Sequence, residues 1–90
     1  MLDVYFTAKF KRDVKRMEKQ GKNIESLLDI VDTLAAEKPL EPKHKDHPLT
    51  GEYIGLRECH IQPDWLLIYK ADRKALILTL TRTGSHSELF

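Results

Sequence analysis

Ninety residues carrying a formal net charge of +1 and one cysteine make one small domain, long enough to fold without staples. A lone cysteine excludes an internal disulfide and points to the reduced cytoplasm. No apolar run reaches membrane-spanning length, and no charged region followed by an apolar stretch marks a signal peptide.

Leu2 to Phe6, with Val4, Tyr5 and Phe6, predicts a strand. Thr7 stands where a helix N-cap belongs, and Phe10, Val14 and Met17 follow at helical spacing up to Gly21. The other faces of this helix are basic: Lys9, Lys11, Arg12, Lys15, Arg16, Lys19 and Lys22 stand against Asp13 and Glu18. Such a face is a footprint for phosphate backbones, and also what a solvated helix looks like.

Asn23 is the next N-cap, and Ile24, Leu27, Leu28, Val31, Leu34 and Ala35 form a stripe along a second helix, which Pro39 and Pro42 end. The short connection at Gly21 predicts an antiparallel helix hairpin. Residues 38–51 read as a long polar loop with His44 and His47; loops of that length without structure tend to be functional. A three-strand meander is expected next, from Glu52 to Cys59, Trp65 to Lys70 and Lys74 to Arg82, turning at Ala71–Lys74. Cys59, in an apolar strand, reads as a packed thiol. The expected class is α+β, with a mainly antiparallel sheet covered on one face by helices.

A meander fixes which ends meet. The end of its first strand (His60), the start of the second (Asp64, Trp65) and the end of the third (Arg82) share one rim, from which the tail with His86 and Phe90 departs. His47 enters from the opposite end, about 20 Å away at about 3.3 Å per residue, and joins only if its loop folds back. A strict two-residue turn at Gln62-Pro63 would put His60 and Asp64 on opposite faces. Pro63 fits poorly there, so a wider loop or bulge is expected.

Proton-handling groups beside an arginine suit metal-free cleavage of RNA. One group takes the 2′-OH proton, another protonates the leaving 5′ oxygen, and Arg82 steadies the phosphate. Trp65 or Phe90 can stack on a base. Each residue also has a plainer role: Trp65 as core, Arg82 as an ion-pair partner of Glu58 or Asp64, His86 and Phe90 as a docked tail. The four histidines match no compact zinc spacing, so neither metal nor cofactor is expected.

Three blocks carry a family resemblance: Lys45-Asp46-His47-Pro48-Leu49 with Gly51; Cys59-His60-Ile61-Gln62-Pro63-Asp64-Trp65 through Lys70; and Arg82-Thr83-Gly84-Ser85-His86 through Phe90. Together they resemble the YafQ branch of the RelE/ParE toxin superfamily over essentially the whole chain. The resemblance implies a bacterial type II toxin that enters the ribosomal A site of the 70S ribosome and cuts mRNA, masked by a cognate antitoxin in a hetero-oligomer and monomeric alone. It assigns function to His47, His60, Asp64, Trp65, Arg82, His86 and Phe90, and no role to His44. The assignment preferred here is His86 as general acid, Asp64 or His60 as base, and His47 at the phosphate, with Lys9, Lys11, Arg12 and Lys15 on the RNA. A ParE-like gyrase poison and a non-catalytic RNA- or protein-binding module on the same fold are the alternatives.

Overall fold

The computed structural model describes residues Met1–Phe90. Its elements run β1 (Asp3–Phe6), α1 (Ala8–Lys19), α2 (Ile24–Ala35), β2 (His47–Pro48), β3 (Arg57–Gln62), β4 (Trp65–Asp72), β5 (Ile77–Gly84) and α3 (His86–Leu89), with 3-10 turns at Pro42–His44 and Gly51–Tyr53. The class is α+β, built on a five-stranded mixed sheet in the order β1-β5-β4-β3-β2. The expected three-strand meander is therefore the middle of a larger sheet. β1 adds to one edge, parallel to β5, and the two-residue β2 adds to the other, antiparallel to β3.

Both helix starts are set by local chemistry. Thr7 Oγ1 accepts from the Phe10 amide at 3.2 Å and donates to the Leu80 carbonyl at 2.9 Å, so one hydroxyl caps α1 and fastens it to β5. Asn23 Oδ1 accepts from the Glu25 amide at 3.0 Å. Phe10 and Met17 of α1 join Leu27, Ile30, Val31 and Ala35 of α2 in the main core. Leu28, expected on the buried stripe, is 45% exposed, and Ile30 takes its place.

β4 divides the molecule. Trp65, Leu67 and Tyr69 face the helices, with Cys59 and Ile61 of β3 and Leu78 and Leu80 of β5. Leu66 and Ile68 face the other way, covered by Leu89 of α3 and flanked by Leu49 and Leu56. Side chains alternate along a strand, so an uninterrupted Trp-Leu-Leu-Ile-Tyr run is what a centre strand buried on both faces requires.

Two strand starts differ from expectation. Gly51 (φ 65°) and Gly55 (φ 92°) occupy backbone conformations no strand contains, so residues 52–56 turn and β3 begins only at Arg57. After β4, Asp72 Oδ1 accepts from the Lys74 and Ala75 amides, each at 3.0 Å. That side chain carries the turn past Lys74, and β5 starts at Ile77. No helix is long and apolar enough to cross a membrane.

Candidate active site

With Cys59 and Ile61 in the main core, strand alternation turns Glu58 and His60 to the opposite face. The β3–β4 register shifts between His60 and Gln62, placing the expected bulge at Ile61. His60 Nδ1 lies 3.1 Å from the Pro63 carbonyl, closing the turn. Glu58 is 5% exposed, and its Oε1 lies 3.5 Å from His60 Nε2 and 3.7 Å from His47 Nε2.

His47 reaches this place because its loop does fold back: it is the cross-strand partner of Glu58. Two contacts pin the loop. His44 Nδ1 donates to the His60 carbonyl at 2.7 Å. Asp46 Oδ1 accepts from the Tyr69 hydroxyl at 2.5 Å and lies 3.3 Å from Arg57 Nε. Burial, above all, together with the hydrogen bond to Asp46, pushes the Tyr69 phenol well above its usual range, so it stays a donor. Between the pins, Lys45 adopts a left-handed backbone (φ 47°), and its carbonyl accepts from His47 Nδ1 at 2.6 Å.

The tail delivers the rest. Ser85 and Glu88 cap α3 reciprocally. Glu88 also accepts from Gln20 Nε2 at 2.9 Å and lies 2.8 Å from Arg16 Nε, near enough for an ion pair though not aligned as a hydrogen bond. Hydrogen bonding from the Ser85 amide, aided by Gln20 and Arg16, holds the Glu88 carboxyl down at about 2. Burying Leu89 beneath α3 contributes roughly 1.5–3 kcal/mol. Asp64 Oδ1 accepts from His86 twice, from Nδ1 at 3.1 Å and the backbone amide at 3.2 Å, and these bonds lower its pKa. The His86 ring then lies 5.7 Å from the His60 ring and 6.4 Å from Phe90, whose other neighbour is Tyr53 at 5.3 Å, edge-on.

A carbonyl or carboxylate oxygen only accepts, so each Nδ1 that bonds one carries the proton. His47, His60 and His86 thus share a tautomer and a use: Nδ1 is spent on an acceptor, and Nε2 is left for chemistry.

Two expected residues lie elsewhere. Trp65 is fully buried on the helix side, donating from Nε1 to Thr83 Oγ1 at 2.9 Å, and has no face on which a base could stack. Arg82 is turned toward α1 rather than toward Glu58 or Asp64. Its Nε donates to Asp13 Oδ2 at 2.6 Å and its Nη2 to Asp13 Oδ1 at 3.2 Å. Burial would raise the pKa of Asp13, but hydrogen bonds from Arg82, the Thr83 amide and Arg16 outweigh it and hold the carboxyl low. Lys9 and Arg12 line a cleft with Asp13, Arg16 and Arg82, while Lys11 and Lys15 are exposed on α1.

The groups that sequence reasoning missed are Glu58 and Tyr53. Glu58 was legible as the residue two before His60 in one strand, hence on its face. Ligating atoms of Glu58, His60 and His86 lie within 4.8 Å of one another. With Nδ1 of both histidines held by outer acceptors, this donor set suits a metal after a small rotation of the side chains. Cys59 is no ligand: burial pushes its thiol up to about 12.

Residues 2–90 match the family described as "Bacterial toxin of type II toxin-antitoxin system, YafQ". The chain is 38% identical over 89 residues to the mRNA interferase toxin YafQ of Escherichia coli K12, covering 98% of this chain and 95% of that one. It superposes on a metal-bound toxin from Helicobacter pylori with a TM-score of 0.94 at 47% identity, all of both chains being covered. It likewise matches the E. coli DinJ-YafQ complex with a TM-score of 0.91 at 36% identity, over 100% of this chain and 99% of that one.

Proposed function

From the membership of this chain in the YafQ family of bacterial type II toxins, we propose that it is an mRNA endoribonuclease acting at the ribosomal A site in the cytoplasm and restrained by a cognate antitoxin. The relative of that name is an mRNA interferase, and a YafQ structure exists in complex with DinJ, its antitoxin. The observation that carries the chemistry is the convergence of three imidazoles on the Glu58 carboxylate: Nε2 of His47 and His60 lie 3.7 and 3.5 Å from Oε1, and a ring nitrogen of His86 lies within 4.8 Å of the Glu58 and His60 ligand atoms. Cleavage needs one group to remove the 2′-OH proton and another to protonate the 5′ oxygen as it leaves.

His86 suits the acid. Asp64 holds its Nδ1–H and so aims Nε2 outward; the proton delivered to the 5′ oxygen is the Nε2–H of the imidazolium form, and Asp64 is an orienting group rather than the base. His60, protonated on Nδ1 by its bond to Pro63, presents a free Nε2 lone pair and suits the base. Protonation of His60 brings an imidazolium 3.5 Å from Glu58 Oε1, where the carboxylate stabilises it as the 2′ proton arrives. His47 stands on the other side of Glu58 and is placed to steady the phosphate. Arg82 spends Nε and Nη2 on Asp13, leaving Nη1 for a phosphate oxygen, and Lys9 and Arg12 beside it extend a cationic path over α1. Lys11 and Lys15, exposed on the same helix, suit ribosomal RNA. Phe90, 54% exposed and edge-on to Tyr53, is the stacking face.

A second reading rests on the donor set of Glu58, His60 and His86. A metal held there would supply Lewis-acid polarisation of a phosphoryl oxygen, but it would occupy the ring nitrogens that acid–base cleavage needs for accepting and delivering protons. Chelator-treated protein that still cleaves, and loses cleavage on adding Cu²⁺ or Zn²⁺, supports the metal-free course; activity that needs the added ion reverses the choice.

The deciding experiment maps mRNA 5′ ends after induction. Wild type should produce new ends within translated codons, and a variant with His47, His60 and His86 all replaced by Ala should produce none. Toxicity that survives the triple replacement indicates a binding module. DNA-damage signalling with intact mRNA indicates a gyrase poison.

A further inference from the structure

The pinned loop encloses a hollow of about 370 Å³ at the outer edge of β3, lined by Lys43, His44, Lys45, His60 and Gln62 among others. It adjoins the site through His60 but is made mostly of residues that the acid–base chemistry leaves unused. We propose that this hollow is a nucleotide subsite, and that it holds the mRNA phosphate next to the scissile one, on the side of the cluster away from Phe90. The proposal deepens the endoribonuclease reading and rests on it.

Four observations support it. No carboxylate lines the hollow, while two lysines do. Glu41, the one acid in contact with them, meets Lys43 at 3.6 Å in a pair whose partners are 74% and 71% exposed, an interaction too weak to hold that lysine against a phosphate. The wall is rigid, because His44 is tied to the carbonyl of His60 itself. Lys45 keeps a left-handed backbone that a residue with a Cβ adopts at a cost, and such strain gathers at ligand-holding sites. Neighbours run in the order hollow, His60, His86, Phe90: His60 lines the hollow, its ring lies 5.7 Å from that of His86, and the His86 ring lies 6.4 Å from Phe90. A strand with one base on Phe90 and its scissile phosphate over the histidines therefore has the hollow in its path. The volume falls within the range of small-ligand sites, and Gln62, exposed at its rim, offers both a donor and an acceptor for a base edge.

The test uses the full-length protein with programmed ribosomes. Single-turnover cleavage is followed across a salt series for wild type and for Lys43→Gln/Lys45→Gln, on mRNA carrying a neutral methylphosphonate at each phosphate flanking the cut in turn. The double variant should keep the wild-type rate at saturation, require about tenfold more ribosome complex for half-maximal rate, and lose about 0.7 from the slope of log affinity against log salt, the value for one phosphate neutralised on a single strand. On the mRNA neutralised at one of the two flanking phosphates, wild type should fall to the level of the double variant, with no further loss on combining the two changes. Losses that add at both phosphates, or an unchanged salt slope, overturn the subsite while leaving the cleavage reaction in place. If wild type itself does not cleave, it is the endoribonuclease reading that fails. Unchanged thermal unfolding of the double variant shows that its loop is intact.

Discussion

The candidate site holds two carboxylate–imidazole groupings that differ in where they sit. Asp64 and His86 lie at the mouth, with side chains 73% and 56% exposed. Glu58 and His60 form the floor, at 6% and 15%. At the mouth, water screens the carboxylate, so its value lies in geometry: two bonds to one residue fix which nitrogen points outward. At the floor, the dielectric is lower and charge itself carries weight. An orienting group tolerates loss of charge if its oxygen stays, whereas a charge-balancing group does not.

The largest test of that difference is His86→Ala, which removes the proton donor. Single-turnover mRNA cleavage should fall about 10²–10⁴-fold with thermal unfolding unchanged, since the ring is exposed. Next comes Glu58→Gln. It keeps the shape of the floor but removes the negative charge between His47 and His60, and cleavage should drop about tenfold or more, corresponding to about 1.4 kcal/mol. Asp64→Asn keeps an oxygen for the His86 amide and Nδ1, so it should cost less than Glu58→Gln when the two rates are measured side by side; the reverse order would undo the contrast between mouth and floor.

A smaller effect is expected from Tyr69→Phe, which deletes only the hydroxyl that holds Asp46. It should cost about 1–3 kcal/mol of unfolding free energy in denaturant melts and slow cleavage a few-fold as His47 loosens, while Asp46→Asn, which still accepts from that hydroxyl, should recover most of the rate lost in Asp46→Ala. The smallest effect on cleavage is expected from Glu88→Gln, which loosens the cap of α3 without touching the reacting groups. The Glu88 carboxyl sits at about 2 against an ordinary 4.5, so its contribution is complete above about 4.5 and is lost as pH falls through about 2. Acid titration of the Ser85 amide by NMR should show α3 persisting below pH 4 in the wild type and loosening as pH nears about 2, whereas the variant, with no carboxyl to titrate, should be looser at every pH and show no such step.

Much of this arrangement was legible in the chain. Thr7 and Asn23 announce their helices because capping is local, and the Trp65–Tyr69 run announces a centre strand because its pattern is apolar throughout. The gathering of His60, Asp64 and His86 followed from strand order. What escaped depends on contacts distant in sequence. His47 joins the site through bonds from Asp46 to Tyr69 and from His44 to the His60 carbonyl. Arg82 turns away because Asp13, on a helix face otherwise read as basic, is buried against it. Trp65 was separable from the site by alternation alone, once Leu66 and Leu67 were assigned to opposite faces. The start of β3 was misjudged because apolar Tyr53, Ile54 and Leu56 outweighed the two glycines that bend the chain between them.

The helix that carries His86 is four residues long and is fastened by one leucine, one glutamate, the two bonds to Asp64 and its own cap. Releasing it breaks none of the contacts of the main core, so the enzyme can be disarmed without being denatured. Hydrogen exchange at residues 86–90 should accordingly run far ahead of exchange in β4, and whatever grips this clasp controls the scissors.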